Sequence, residues 1–174
     1  MTEKSFLKAV SKGELDIVQL LLSLFQDCGS DYCVIGGLGV NAYVDPVVSL
    51  DLDVIVIADS LEKLCVLAAT KGLKVSRFEH SLNLDSDLSD LRVQLQTDSR
   101  YQEFLPRSLE KDVLGYKMKV AALEDVLQGK IWACTDAGRR KSKRQKDLAD
   151  IARIIESYPD LESKLPESVR QSLA

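Results

Sequence analysis

Asp51 and Asp53 open the apolar run Val54-Ile55-Val56-Ile57, and fourteen positions before Asp51 a glycine pair, Gly36-Gly37, follows Ile35. In an extended strand alternate side chains share a face, so Asp51 and Asp53 point one way while Leu52 and Val54 point the other. Two carboxylates that close repel each other unless a cation lies between them, and their oxygens suit Mg²⁺ or Mn²⁺. The glycines end a short apolar strand, Tyr32 to Ile35, and open a helix whose free backbone N–H groups suit a phosphate. Together these residues predict metal-dependent chemistry on a nucleotide.

The elements that must position them follow from the hydrophobic pattern. Residues 5 to 27 read as one or two helices interrupted near Ser11-Lys12-Gly13, with Leu15, Val18, Leu22 and Phe25 at helical spacing. The stretch from Ala9 to Leu22 looks like the helical part of an ankyrin repeat, but such stacks need several copies and none recurs here. A strand at 32–35, a helix at 38–44 and a strand at 49–58 follow, with Asp45-Pro46 at the turn. Leu61 to Thr70 reads as a helix stopped by Gly72, and Lys74 to Leu84 as one weakly alternating strand. Asp85-Ser86-Asp87 marks a turn, after which Leu91, Val93 and Leu95 alternate with polar residues in a half-buried strand. A short edge strand at 116–120 precedes helices at 122–136, 145–157 and 161–172. The expected fold class is α+β, one domain over 1–174: a helical segment 1–30, a small mixed sheet core 31–120, and C-terminal helices 121–174.

With 174 residues, 45% hydrophobic and 29% charged, the chain is long enough to bury a core of its own. Its net charge of −4 argues against a surface coated in basic charge for nonspecific nucleic-acid binding. The start Met-Thr-Glu-Lys-Ser-Phe lacks the pattern of a signal peptide, and no apolar stretch is long enough to span a membrane, so a cytoplasmic location is expected. Four cysteines without Cys-x-x-Cys spacing and a single histidine indicate neither a zinc site nor a disulfide framework.

The run Val34-Ile35-Gly36-Gly37-Leu38-Gly39-Val40-Asn41-Ala42-Tyr43, then Ser49-Leu50-Asp51-Leu52-Asp53-Val54-Ile55-Val56, resembles the polymerase-beta-like nucleotidyltransferase superfamily. The minimal nucleotidyltransferases and the AbiEii-type toxin branch are the most similar parts of it. Val120 to Leu127, Lys130, and Lys143 to Ile151 extend the resemblance to roughly residues 31 to 155. It implies a small mixed sheet with flanking helices, a nucleoside triphosphate as ligand, Mg²⁺ or Mn²⁺ as cofactor, and transfer of a nucleoside monophosphate to an acceptor hydroxyl. It leaves the acceptor open among an RNA, a protein hydroxyl and a small molecule, and it implies an antitoxin-like protein partner.

On this resemblance Asp51 and Asp53 hold the metal, while Gly36, Gly37 and Ser49 border the phosphates. The slot for a third carboxylate reads Val93-Gln94-Leu95, and a glutamine brings neither negative charge nor a proton acceptor. The chain is therefore either a weakened enzyme or an inactive nucleotide-binding or protein-interaction module of the same fold. Asp90, on the same strand parity as Gln94, and Asp98 are the substitutes if the register differs. Upstream of Asp51, Val47 stands where the branch often has a basic residue.

Lys130 falls inside the apolar stripe Leu123, Val126, Leu127, Ile131 and Cys134, so it must either snorkel outward or meet an anion. The resemblance turns it toward the cleft, with a phosphate or Asp147 as partner. Asp147 and Asp150 read either as helix-start residues complementing the dipole or as part of that constellation. Six cations crowd Arg139 to Lys146. They read either as a solvated loop or as phosphate contacts, with Arg144 and Lys146 the candidates for triphosphate.

Overall fold

The computed structural model describes residues 3–174; the first two residues of the Met-Thr-Glu-Lys-Ser-Phe start lie outside them. Two helices, Glu3–Val10 (α1) and Ile17–Cys28 (α2), come first. Asp16 caps α2 by accepting from the Gln19 backbone N–H at 3.0 Å, and Gly29 ends it in the left-handed conformation. The α2 face formed by Ile17, Val18, Leu21, Leu24, Phe25 and Cys28 is buried. The Phe25 ring stacks on Tyr32 with centroids 4.2 Å apart, so this helix packs on a sheet rather than on a repeat neighbour.

Tyr32–Ile35 (β1) leads into Gly36–Asn41 (α3), and Asp51–Val56 (β2) follows. Leu61–Thr70 (α4) matches its expected span. The expected single strand from Lys74 to Leu84 is instead a hairpin, Lys74–Arg77 (β3) and Ser81–Ser86 (β4), closed by the Phe78 N–H donating to the Ser81 carbonyl. Its residues from Phe78 to His80 are all exposed, which is why the alternation there is weak. Ser89–Gln96 (β5) buries Ser89, Leu91, Val93 and Leu95 and exposes the residues between them through Gln94. A 3-10 stretch, Ser99–Arg107, then returns the chain.

Leu109–Val113 (β6) was not expected, because Glu110-Lys111-Asp112 gives no apolar alternation. It pairs with Tyr116–Val120 (β7) through Leu114-Gly115, both with positive φ, the geometry of a tight two-residue hairpin. Consequently β7 is not the edge: it lies between β6 and β1. The sheet order is β3-β4-β5-β2-β1-β7-β6, with β2–β5 and β1–β7 parallel and the rest antiparallel.

The C-terminal helices are Leu123–Thr135 (α5), Lys141–Ser157 (α6) and Glu167–Leu173 (α7). The expected helix over 161–172 divides at Pro166 into a 3-10 stretch, Pro159–Lys164, and α7. Helix α6 begins four residues before its expected start, because the lysines and arginines of the basic run favour helix as readily as loop. One sheet face, carrying Val34, Leu52, Val54, Val93, Leu95 and Leu84, lies fully in the core. The opposite face carries Asp51 and Asp53, with α3 packed on its β1–β2 side and α5 and α6 packed in turn on α3.

Candidate functional site

The site begins where β1 stops. Gly36 turns the chain with φ of +66°, and a Cβ at this position would collide with the Asp53 carboxylate, so conformation and space both require glycine. A Cβ on Gly37 would lie 3.5 Å from the Ser49 hydroxyl, an ordinary contact, so Gly37 serves approach rather than conformation. With six residues, α3 offers a phosphate its local N–H groups rather than the field of a long helix. Ser49 shapes the entry to β2: its hydroxyl accepts from the Asp51 N–H and donates to the Asp51 carbonyl, both at 3.3 Å.

The two aspartates share a face yet have opposite surroundings. Asp51 lies 2.7 Å from the Arg92 guanidinium and 3.2 Å from the Lys143 ammonium. Partial burial pushes its carboxyl up, but Lys143 and Arg92 together outweigh that and hold it below the ordinary range. Asp53 has no hydrogen-bond or ion-pair partner among the described residues. Burial raises its pKa, an effect that the more distant Lys130 only partly opposes and Asp51 reinforces. Asp53 is thus the group on the cleft floor that gains most from an added cation.

The register places Gln94 opposite Asp53, in the slot that the resemblance assigned to a third carboxylate, and Arg92 opposite Asp51. Asp90 pairs with Lys12 at 3.1 Å, and Asp98 caps the 3-10 stretch and holds Arg100, so neither substitutes for Gln94. Around the aspartates opens a cleft of about 240 Å³. Among its described lining residues five are basic (Arg92, Lys130, Arg139, Lys143 and Lys146) and three are acidic, so an acidic chain carries a locally cationic cavity. Arg144 corrects the expectation: it does not line the cleft, whereas Lys143, one helical step away, does. The basic run is not a loop either, since its second half forms the first turns of α6.

Lys130 is buried, not snorkelled, and its ammonium lies 3.0 Å from Asp147 and 2.7 Å from Asp150. Both aspartates sit in the middle of α6 rather than at its start, so the dipole reading does not apply. Arg139 adds a contact to Asp147 at 2.7 Å, and Arg153 bonds Asp150 while also donating to the Asn41 side chain and the Asp45 carbonyl. Burial works against the Lys130 charge, but Asp150 and Asp147 overcome it and raise its pKa. The network fastens α5, α6 and the end of α3 around the cleft. Arg92 and Tyr101 were missed in the sequence: the first shares the strand parity of Gln94, whereas nothing local marks the second.

Two outcomes test this geometry. Asp53→Asn removes a carboxylate whose folded-state pKa is raised, so the folded state binds its proton more readily than the unfolded chain and loses stability as pH rises through that pKa. The variant should be more stable than the parent at pH 7, with the difference vanishing below about pH 3.8, the ordinary value; urea unfolding at both pH values measures it, and equal stability at pH 7 contradicts it. Lys130→Met leaves Asp147 and Asp150 buried with less compensation and should cost about 3 kcal/mol, partly recovered by adding Asp147→Asn. An unchanged unfolding midpoint would remove Lys130 from the structural core.

No protein-family model matches the chain, and no curated protein sequence does. Solved structures match it by shape. ANT(2'')-Ia, an antibiotic-resistance factor solved in complex with adenylyl-2''-tobramycin, superposes with a TM-score of 0.66 at 12% identity, over 91% of this chain and 97% of its own. The lincosamide antibiotic adenylyltransferase LnuA, solved with lincomycin, gives 0.56 at 14% identity over 79% and 95%. A nucleotidyltransferase-like protein from Paracoccidioides brasiliensis gives 0.51 at 19% identity over 90% of each chain. At these identities the likeness concerns the backbone: the chain has an α+β nucleotidyltransferase fold, a seven-stranded mixed sheet with flanking helices.

Proposed function

We propose that this protein binds a nucleoside triphosphate and transfers its nucleoside monophosphate to an acceptor hydroxyl, releasing pyrophosphate. The observation that carries the proposal is Asp53: a half-buried carboxylate without a direct hydrogen-bond or ion-pair partner among the described residues, against the obligatory Gly36, on the same strand face as Asp51, in a cleft of cationic lining. The nucleotidyltransferase fold supports it.

The donor set fits a divalent cation that brings ligands of its own. Asp51 and Asp53 would hold Mg²⁺ or Mn²⁺, and the remaining positions suit phosphate oxygens and water, as Mg²⁺ prefers. Among the described residues no group of three His, Cys, Asp or Glu side chains is arranged to hold a metal, so no all-protein cage is expected. When bound, the cation screens phosphate charge and favours departure of pyrophosphate. Lys143 and Lys146 would steady the outer phosphates, with Arg139 beside them, while Arg92 would stay on Asp51. Gly36 and Gly37 would admit a phosphate close to the backbone. Lys130 acts one step back, holding Asp147 and Asp150 so that α6 presents its lysines. In the transfer, the acceptor oxygen bonds to the α-phosphorus as the bond to pyrophosphate breaks. The hydroxyl proton passes to water or to Asp53, because the Gln94 amide cannot take it.

Gln94 also favours a second reading, in which the cleft binds nucleotide without transferring it. The segments at Val120–Leu127 and Lys143–Ile151 extend the proposal toward the AbiEii-type branch, with an antitoxin-like partner and a cytoplasmic setting, and leave the acceptor open among RNA, protein and small molecule. No helix among the described residues is long and apolar enough to cross a membrane.

Incubation with α-labelled nucleoside triphosphate and Mg²⁺ or Mn²⁺, with pyrophosphate release as readout, tests the proposal. Slow release is expected, abolished in Asp51→Ala and raised up to about a hundredfold in Gln94→Asp if a general base is regained. Nucleotide binding without release in either the parent or Gln94→Asp would favour the second reading.

A further inference from the structure

Beyond Asp53 the sheet face changes character. Gln94 of β5 stands opposite Asp53, and Asn83 of β4 stands opposite Gln94, so a polar row runs away from the aspartates across the strands. Helix α3 packs over the β1–β2 side instead, and α5 and α6 pack on α3. Asn83, Gln94 and Gln96 line the cleft there, beside Arg92 on the same face of β5, and Tyr101 adds its phenol from the 3-10 stretch beneath α5.

Their hydrogen-bonding capacity is largely unspent. The Asn83 amide oxygen is buried without a partner, and the Gln94 amide and Tyr101 hydroxyl have none among the described residues. Gln96 uses its amide oxygen on the Thr97 and Asp98 N–H groups, which leaves its NH₂ to donate. Burial pushes the Tyr101 phenol up to about 12, so it stays neutral. The nearby charges are committed: Arg92 to Asp51, and Asp98 to Arg100. Lys146, which has no ion-pair partner among the described residues, belongs to α6, as does Lys143, which Asp51 also holds.

In-line displacement places the attacking oxygen opposite the departing pyrophosphate. If the cations of α6 mark the pyrophosphate side, the neutral wall is the side of attack. A cationic acceptor would call for carboxylates there and a polyanion for lysine or arginine. Unpaired amides and a phenol suit neither, because they are matched by groups that donate and accept in equal measure. We infer that the acceptor is an uncharged, hydroxyl-rich small molecule, a sugar or polyol, held by Asn83, Gln94, Gln96 and Tyr101 so that one hydroxyl faces the α-phosphate above Asp53. The inference rests on the proposed nucleotidyl transfer and names its acceptor. Its bond changes are those of that transfer: an acceptor O–P bond forms, the P–O bond to pyrophosphate breaks, and the hydroxyl proton leaves to solvent or Asp53.

Saturation-transfer NMR on the full chain tests it. The protein, loaded with Mg²⁺ and a non-hydrolysable ATP analogue, is offered sucrose, trehalose and methyl glucoside, and separately tobramycin and a short RNA. At least one neutral saccharide should show contact. Asn83→Val and Tyr101→Phe should each weaken that contact by about tenfold, as for loss of one hydrogen bond, and leave analogue affinity within about twofold. Tyr101→Phe keeps the ring packing against Phe104 and Trp132, so it remains informative if the strand substitution perturbs folding. Contact from tobramycin or RNA alone, or from none of these, overturns the acceptor class while analogue binding upholds nucleotide recognition. A change in preference among nucleobases in Asn83→Val overturns it too, by assigning the wall to the base. Absence of analogue binding in the parent is the one outcome that overturns both.

Discussion

A half-buried carboxylate with no direct ion-pair partner is held in place only if the surrounding fold is rigid, and Asp53 is such a group. It lies between the left-handed turn at Gly36 and the β5 strand, and each neighbour restricts what the other can be. Any residue larger than glycine at position 36 would displace the carboxylate. The chain therefore carries at Asp53 a local cost in stability that Lys130, Arg139 and Lys143 offset only in part, the kind of arrangement found where a ligand completes the charge balance. Asp51, two residues earlier, shows the contrast: the same strand face and chemistry, but already balanced by Arg92 and Lys143.

The rigidity around Asp53 comes from a second set of charges that are balanced. Lys130, Asp147 and Asp150 lie buried together, and Arg139 and Arg153 extend the network to the cleft rim and to the loop after α3. Buried ion pairs contribute little net stability compared with apolar packing, but they fix register, because a shifted helix would strand a charge. Here they set how α5 and α6 sit over the sheet, and so where Lys143 and Lys146 project. The division of labour is clear in the geometry: one cluster of charges holds the helices still, and the other is left incomplete at the cleft floor.

Much of this was legible in the sequence because it depends on short-range periodicity. The parity of Asp51 and Asp53, the need for glycine after Ile35, the alternation that puts Gln94 on the polar face of its strand, and the lysine inside an apolar helix stripe are all local patterns with strong physical consequences. What was not legible depends on partners far along the chain. Asp51 meets Lys143 across 92 positions, and no local rule distinguishes Lys143 from Arg144 as the residue that turns inward. The edge strand β6 is nearly all polar because an edge with little to bury need not alternate, and the Phe78–His80 turn lacks the glycine or asparagine that usually announces a hairpin. Tyr101 reaches the cleft only because the 3-10 stretch folds back beneath α5, where a Cβ on Gly129 would stand 3.3 Å from its ring.

The central claim is that Asp53, with Asp51 and the Gly36-Gly37 turn, forms the point at which a cation and a nucleotide phosphate meet. Paramagnetic broadening by Mn²⁺ in the presence of a non-hydrolysable nucleoside triphosphate, read on the assigned NMR spectrum of the full chain, tests it directly. The account predicts selective loss of signal at Gly36, Gly37, Asp51, Asp53 and Gln94, and none of that loss in Asp53→Asn. Broadening centred elsewhere on the molecule, or an identical pattern in Asp53→Asn, would contradict it.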